Sequence, residues 1–167
     1  YRGSEEKKLY EMTNFSIVPI INGLTDSSHP CQILADIMTL EENFKSIENL
    51  NLCWVGDGNN VCNSYIEAAS IFGFEISIFC PKGCEPYQPL LNEAKEYITL
   101  APSKNEALEK AQIVTTDVWT SMNNESSLKE RRKTFKDFFV EEEDLGLADE
   151  NAIFLHCLPC LLYTSPS

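Results

Sequence analysis

The apolar positions of this chain change period along its length, and each change marks an element. In residues 30–44 the apolar side chains Ile33, Leu34, Ile37, Met38 and Phe44 recur at helical spacing, and Pro30 suits the first helical turn, so a helix is predicted. Residues 52–55 form a short apolar run ending at Gly56, and the pattern that follows is helical to Phe72 and closes on Gly73. That stretch reads as strand, turn, helix. "FEISIFC", residues 74–80, is the next predicted strand, and "PKGCEPYQP" is a loop dense in Pro and Gly. A helix at about 89–96 then leads to a short strand at 97–100. Ser103 and Glu106 carry the capping-box signature of a helix ending near Lys110, and residues 111–117 supply another strand. Ser127 and Glu130 repeat the signature before Arg131 and Arg132, which read as part of a polar, solvated helix. Residues 151–157, "NAIFLHC", form the last strand.

Strands alternating with helices predict an α/β fold with a doubly wound, mostly parallel sheet. Residues 1–28, with "IVPIING" as a predicted strand, do not join that alternation. They read as the end of a preceding domain, residues 29–45 as the bridging helix, 46–159 as the sheet domain, and 160–167 as an atypical, non-native tail.

Composition narrows the functions. The 167 residues are 43% hydrophobic and 23% charged, which is globular. A net charge of -13 repels nucleic acid and anionic membrane, so neither is an expected partner. No apolar run approaches the roughly 20 residues that cross a bilayer, nothing after Tyr1 resembles a signal peptide, and the natural chain is expected to begin before Tyr1. Seven cysteines at irregular spacing, several inside apolar runs, read as reduced thiols of an intracellular protein. The compartment, cytoplasm or mitochondrial matrix, is left open.

Three polar clusters fall at predicted strand ends, where ligands of an open parallel sheet bind. They are "GDGNN" after Val55, "DVWTSM" from Asp117 and "HCLP" from His156. Each also has a plainer reading. In "GDGNN" the third glycine of a dinucleotide fingerprint is replaced by Val61, and a tight turn accounts for both glycines. Asn59 and Asn60 can cap the helix or reach a ligand from its positive end. Asp117 can simply end a strand, with Trp119 and Met122 as packing; alternatively Asp117 and Ser121 can grip an amino-acid-like cation. Cys157 and Cys160 form a C-x-x-C, which raises a redox reading, but no second pair completes a zinc site. His29, one of two histidines, and Gln32 share a face at the start of the 30–44 helix; the plainer role for His29 is the helix cap.

In this order and at these separations, "HPCQILAD", "WVGDGNN", "DVWTSM" and "HCLP" resemble the aspartate/ornithine carbamoyltransferase family, and its ornithine branch most. The resemblance implies a Rossmann-like ornithine-binding domain, carbamoyl phosphate and L-ornithine as substrates, no metal or organic cofactor, and a homotrimer for the full-length protein. It implies that His29 and Gln32 contact the carbamoyl group, that Asn60, Asp117, Ser121 and Met122 line the ornithine site, and that Cys157 and Leu158 lie where the amine meets the carbamoyl carbon. His29, Asp117 and Cys157 are the implied catalytic residues. The family's phosphate-binding Ser-x-Arg-Thr motif is missing, as is an arginine shortly before the helix, and none of Arg2, Arg131 and Arg132 reads as placed to clamp a phosphate. The chain is therefore expected to be inactive alone. The rivals are sister enzymes acting on putrescine, acetylornithine or aspartate, and, from another class, a nucleotide-binding or redox module.

Overall fold

A computed structural model describes residues 1–118 and 128–157. In chain order its elements are α1 (Glu6–Thr13), α2 (Pro30–Asn43), β1 (Asn51–Val55), α3 (Asn60–Phe72), β2 (Glu75–Phe79), α4 (Gln88–Glu93), β3 (Ile98–Leu100), α5 (Lys104–Leu108), β4 (Ile113–Thr116), α6 (Leu128–Thr134), α7 (Glu142–Leu145) and β5 (Ile153–His156). The five strands form one sheet in the order β3-β2-β1-β4-β5, every neighbouring pair parallel. This is the doubly wound α/β arrangement that the alternation predicts.

β1 lies at the centre, and its side chains alternate between two apolar layers as strand geometry requires. Leu52 and Trp54 point into a core built with Ile33, Ile37 and Leu40 of α2 and Tyr65 and Ile66 of α3. Cys53 and Val55 face the opposite layer, with Ala107, Leu108 and Val114. α3 ends at Gly73, which takes the left-handed conformation (φ 75°) and returns its N–H to Ala69.

The main differences from the sequence reading lie outside this layered body. "IVPIING" is not a strand of the sheet: Ile21 and Gly23 share backbone bonds with Tyr1, an isolated bridge joins Arg2 to Leu24, and Ile17 and Ile21 stand exposed. Its pairing with residues 1–3 stops at that one bridge and does not extend into a ladder. α1 and α7 were not anticipated. α1 buries one apolar residue, Leu9, so it has no periodic stripe to detect. α7 is four residues long and is held by a capping box between Glu141 and Asp144. At α5 the Ser103 hydroxyl accepts from the Glu106 N–H at 3.3 Å, while the Glu106 carboxylate binds that hydroxyl rather than a backbone N–H. Ser127 and residues 160–167 lie outside the described residues. Among the described residues no helix is long and apolar enough to cross a membrane.

Candidate active site

Strand register assembles the site. Val55 pairs with Thr116, and Thr116 with His156, so the chain leaves three adjacent strands side by side at Gly56, Asp117 and Cys157. Strand order reverses between β1 and β4, which places these exits at the crevice where parallel sheets bind ligands.

Asp117 is the centre of this end. Its Oδ2 accepts from Asn59 Nδ2 at 2.6 Å, and its Oδ1 accepts from the Val118 N–H at 2.6 Å and from Cys157 Sγ at 2.8 Å. Asn59 also caps α3, accepting from the Val61 and Cys62 N–H groups at 3.0 and 3.1 Å. One short amide thus anchors a helix and aims a carboxylate. Burial, and then the Asp117 charge, push the Cys157 thiol up, so it is a protonated donor. A redox thiol needs the opposite shift, which argues against the redox reading of the C-x-x-C; Cys160 lies outside the described residues.

His29 and Gln32 sit together at the start of α2. His29 is the N-cap of α2: the Gln32 N–H is shared between the His29 carbonyl at 3.1 Å and Nδ1 at 3.4 Å. The capping role is therefore real. In the tautomer whose Nδ1 accepts this bond, the ring proton is on Nε2. Burial first, then the Arg2 charge, lower the His29 pKa, while Asp117 and Asp36 oppose them. The imidazole is neutral near pH 7. The two groups are near neighbours, since the Asp117 charge acts on His29 and the Asp36 charge on Cys157.

α3 fastens the His29 loop to the sheet domain. Asn60 Nδ2 donates to the Thr25 carbonyl at 2.6 Å, Asn63 Nδ2 to the Ser27 carbonyl at 3.2 Å, and the His29 N–H to Ser64 Oγ at 2.8 Å. Asn60, expected to line the ornithine site, thus has its amide nitrogen committed to the loop, and it is Asn59 that reaches Asp117. The G-x-G glycine at 58 is explained by packing: a Cβ there would lie 2.3 Å from the Pro86 nitrogen. That favours the tight-turn reading.

Two arginines differ from expectation. Arg2 is not remote from the site, because the Gly3 N–H bonds the Leu24 carbonyl at 3.0 Å and the Gly23 N–H bonds that of Tyr1 at 2.7 Å, which hold it where its charge acts on His29. Sequence separation hid this. The signal available was its place on the segment leading to His29. Arg131 is not merely solvated, since it pairs with Asp57 of the "GDGNN" turn and stacks over the Phe135 ring at 4.7 Å. Ser121, Met122 and Leu158 lie outside the described residues, as does Trp119. Among the described residues no cluster of three or more His, Cys, Asp or Glu side chains is arranged to hold a metal ion.

Known proteins carry the same combination. Residues 48–162 match the aspartate/ornithine carbamoyltransferase Asp/Orn binding domain, and residues 1–42 the carbamoyl-P binding domain of the same family. An ornithine carbamoyltransferase of Acinetobacter baumannii is 49% identical over 146 residues, covering 87% of this chain and 48% of the relative. That of Methanobrevibacter smithii is 41% identical, covering 96% of this chain and 56% of the relative. Among solved structures, the ornithine carbamoyltransferase of Pyrococcus furiosus superposes with a TM-score of 0.87 at 35% identity, covering 96% of this chain and 53% of that one. That of Thermus thermophilus gives 0.85 at 37% identity, covering 96% and 52%. The chain spans about half the length of the curated relatives it matches. Sheet, crevice and sequence agree that this chain belongs to the aspartate/ornithine carbamoyltransferase family.

Proposed function

We propose that this chain supplies the amine-binding wall, and part of the carbamoyl-binding wall, of an enzyme that carbamoylates L-ornithine. The neutral δ-amine attacks the carbamoyl carbon of carbamoyl phosphate, and the C–O bond to phosphate breaks, its electron pair leaving with the phosphate. The amine then gives up its surplus proton, leaving L-citrulline and phosphate. One observation carries the reading: the exits of β1, β4 and β5 gather Asn59, Asp117 and Cys157 into one hydrogen-bonded group, and the Asp117 charge reaches the His29 imidazole.

In this reading His29 donates to the carbamoyl oxygen as it gains negative charge, the task of an oxyanion hole. Asp117 attracts the ornithine amine. Cys157, kept as a thiol, is no nucleophile; it holds Asp117 and borders the point of attack with Leu158. Asn60, Ser121 and Met122 complete the ornithine site, and Gln32 meets the carbamoyl nitrogen. Arg2 is our candidate for one contact to the phosphate, supported by its coupling to His29. Holding two small reactants in line can supply roughly 7 to 11 kcal/mol of barrier reduction in favourable cases, so no covalent intermediate is required. We read residues 1–28 as carbamoyl-phosphate domain, 29–45 as the bridge and 46–159 as the ornithine domain of an intracellular homotrimer.

The test is a fusion that adds the half of a relative that this chain does not span. Citrulline formation from ornithine and carbamoyl phosphate supports the reading. Carbamoylation of putrescine, acetylornithine or aspartate with none of ornithine overturns the substrate. Sedimentation of the fusion as anything other than a trimer overturns the assembly.

A further inference from the structure

Gln32 is not free to turn. Its Nε2 donates to Asp36 Oδ1 at 3.0 Å, one turn further along α2. Asp36 Oδ2 accepts from the Tyr65 hydroxyl of α3 at 2.7 Å. Tyr65 is itself fixed, 1% exposed and packed against Trp54 with ring centroids 5.8 Å apart. Burial leaves the Asp36 pKa raised, and the bonds from Tyr65 and Gln32 and the nearby His29 offset part of that rise by favouring the carboxylate. Both carboxylate oxygens are accepting.

An ionised carboxylate accepts hydrogen bonds and never donates them, whereas a glutamine amide has a donating end and an accepting end. Beside Asp36, Gln32 must turn its NH2 inward, and only its carbonyl is left for a ligand. We propose that Asp36, anchored by Tyr65, is a positioning residue that locks the amide of Gln32, so that the crevice selects an acyl phosphate carrying NH2 over one carrying CH3. The selection follows from pairing. A carbamoyl nitrogen satisfies the Gln32 carbonyl, while the methyl of acetyl phosphate leaves that acceptor buried and unpaired, the situation in which sites reject analogues most strongly. The inference rests on the proposed function for the identity of the ligand, but not for the lock itself.

Two experiments test it. In this chain, the side-chain amide protons of Gln32 are followed by NMR: they are expected well apart in frequency and slow to exchange, and closer to free glutamine in Asp36→Leu, with Tyr65→Phe between. Identical resonances in all three proteins overturn the lock. In the fusion, the ratio of the acetyl phosphate inhibition constant to the carbamoyl phosphate KM is measured for the unaltered protein, Asp36→Leu and Asp36→Asn. The asparagine keeps the shape but pairs with either end of Gln32, so it carries the test if the leucine variant does not fold. The ratio is expected to fall by at least about tenfold in both variants, a small part of what such pairing can yield, with the ornithine KM unchanged. A merely structural Asp36 would lower stability and leave the ratio alone, which overturns the selection. If the unaltered fusion makes no citrulline, the functional reading fails, and the Gln32 resonances still decide whether Asp36 sets its orientation.

Discussion

The segment before α2 and the sheet behind it both reach the crevice, yet they are held there by different forces. The sheet domain is held by burial: Leu52, Trp54 and Val55 of β1 are at most 1% exposed and are covered on both faces. The leading segment buries Leu9 and Thr25 while Phe15, Ile17 and Ile21 stand in solvent. What places its end at the site is a set of hydrogen bonds from α3, through Asn60, Asn63 and Ser64. Burial is spread over many contacts and tolerates small errors. A few polar bonds are directional, so they set His29 accurately but with little reserve.

The comparison can be pressed at four points. Trp54→Ala attacks the burial side and is expected to cost about 3 to 5 kcal/mol, as large core truncations do; denaturant unfolding measures it, and a loss under 1 kcal/mol would show that β1 is not the centre of the core. Ser64→Ala attacks the hydrogen-bonded side by removing the acceptor of the His29 N–H. A loss of about 1 to 3 kcal/mol is expected, with faster amide exchange at His29 and unchanged exchange within β1. Equal acceleration in β1 would mean that the two regions are one unit.

Smaller in energy, but sharper about geometry, is the titration of His29. Its midpoint is expected below the ordinary 6.5, because burial and Arg2 both disfavour the imidazolium. Arg2→Ala removes a positive neighbour and should raise the midpoint, while Asp117→Asn removes a negative one and should lower it. NMR of the ring protons reads both, and a midpoint indifferent to both variants would separate the two walls of the crevice. Through this group the folded state binds fewer protons than the unfolded one, so its stabilising contribution is present above about pH 6.5 and is lost as pH falls through the lowered midpoint. The smallest effect is expected from Ile17→Ser, within about 0.5 kcal/mol, because the side chain is already in solvent. A thermal shift comparable to that of Ser64→Ala would show that the leading segment has a core of its own.

The pattern of apolar positions was enough to place all five strands and the helices α2 and α3, because short apolar runs between turn residues mark the strands and a helical period marks the helices. The strand exits at Gly56, Asp117 and Cys157 were legible for the same reason, since a parallel sheet puts ligands at its carboxyl ends. "IVPIING" misled because an apolar run announces that it can pair, not how far the pairing extends, and here it stops at a single bridge. Arg2 escaped because its effect on His29 acts across 27 positions of sequence. Choosing between Asn59 and Asn60 was beyond local reasoning: both sit at the start of α3, and only the helix geometry turns one toward Asp117 and the other toward Thr25. Nothing local singled out Asp36, whose bonds are completed by Tyr65 from another helix. Periodicity and strand-end chemistry are local properties, so the sequence by itself determined the fold class and the location of the crevice. Hydrogen-bond partners and electrostatic neighbours depend on which distant segments meet, so the charge acting on His29 from Arg2, the aim of Asp117 by Asn59 and the anchoring of Asp36 by Tyr65 were decided only by the tertiary structure.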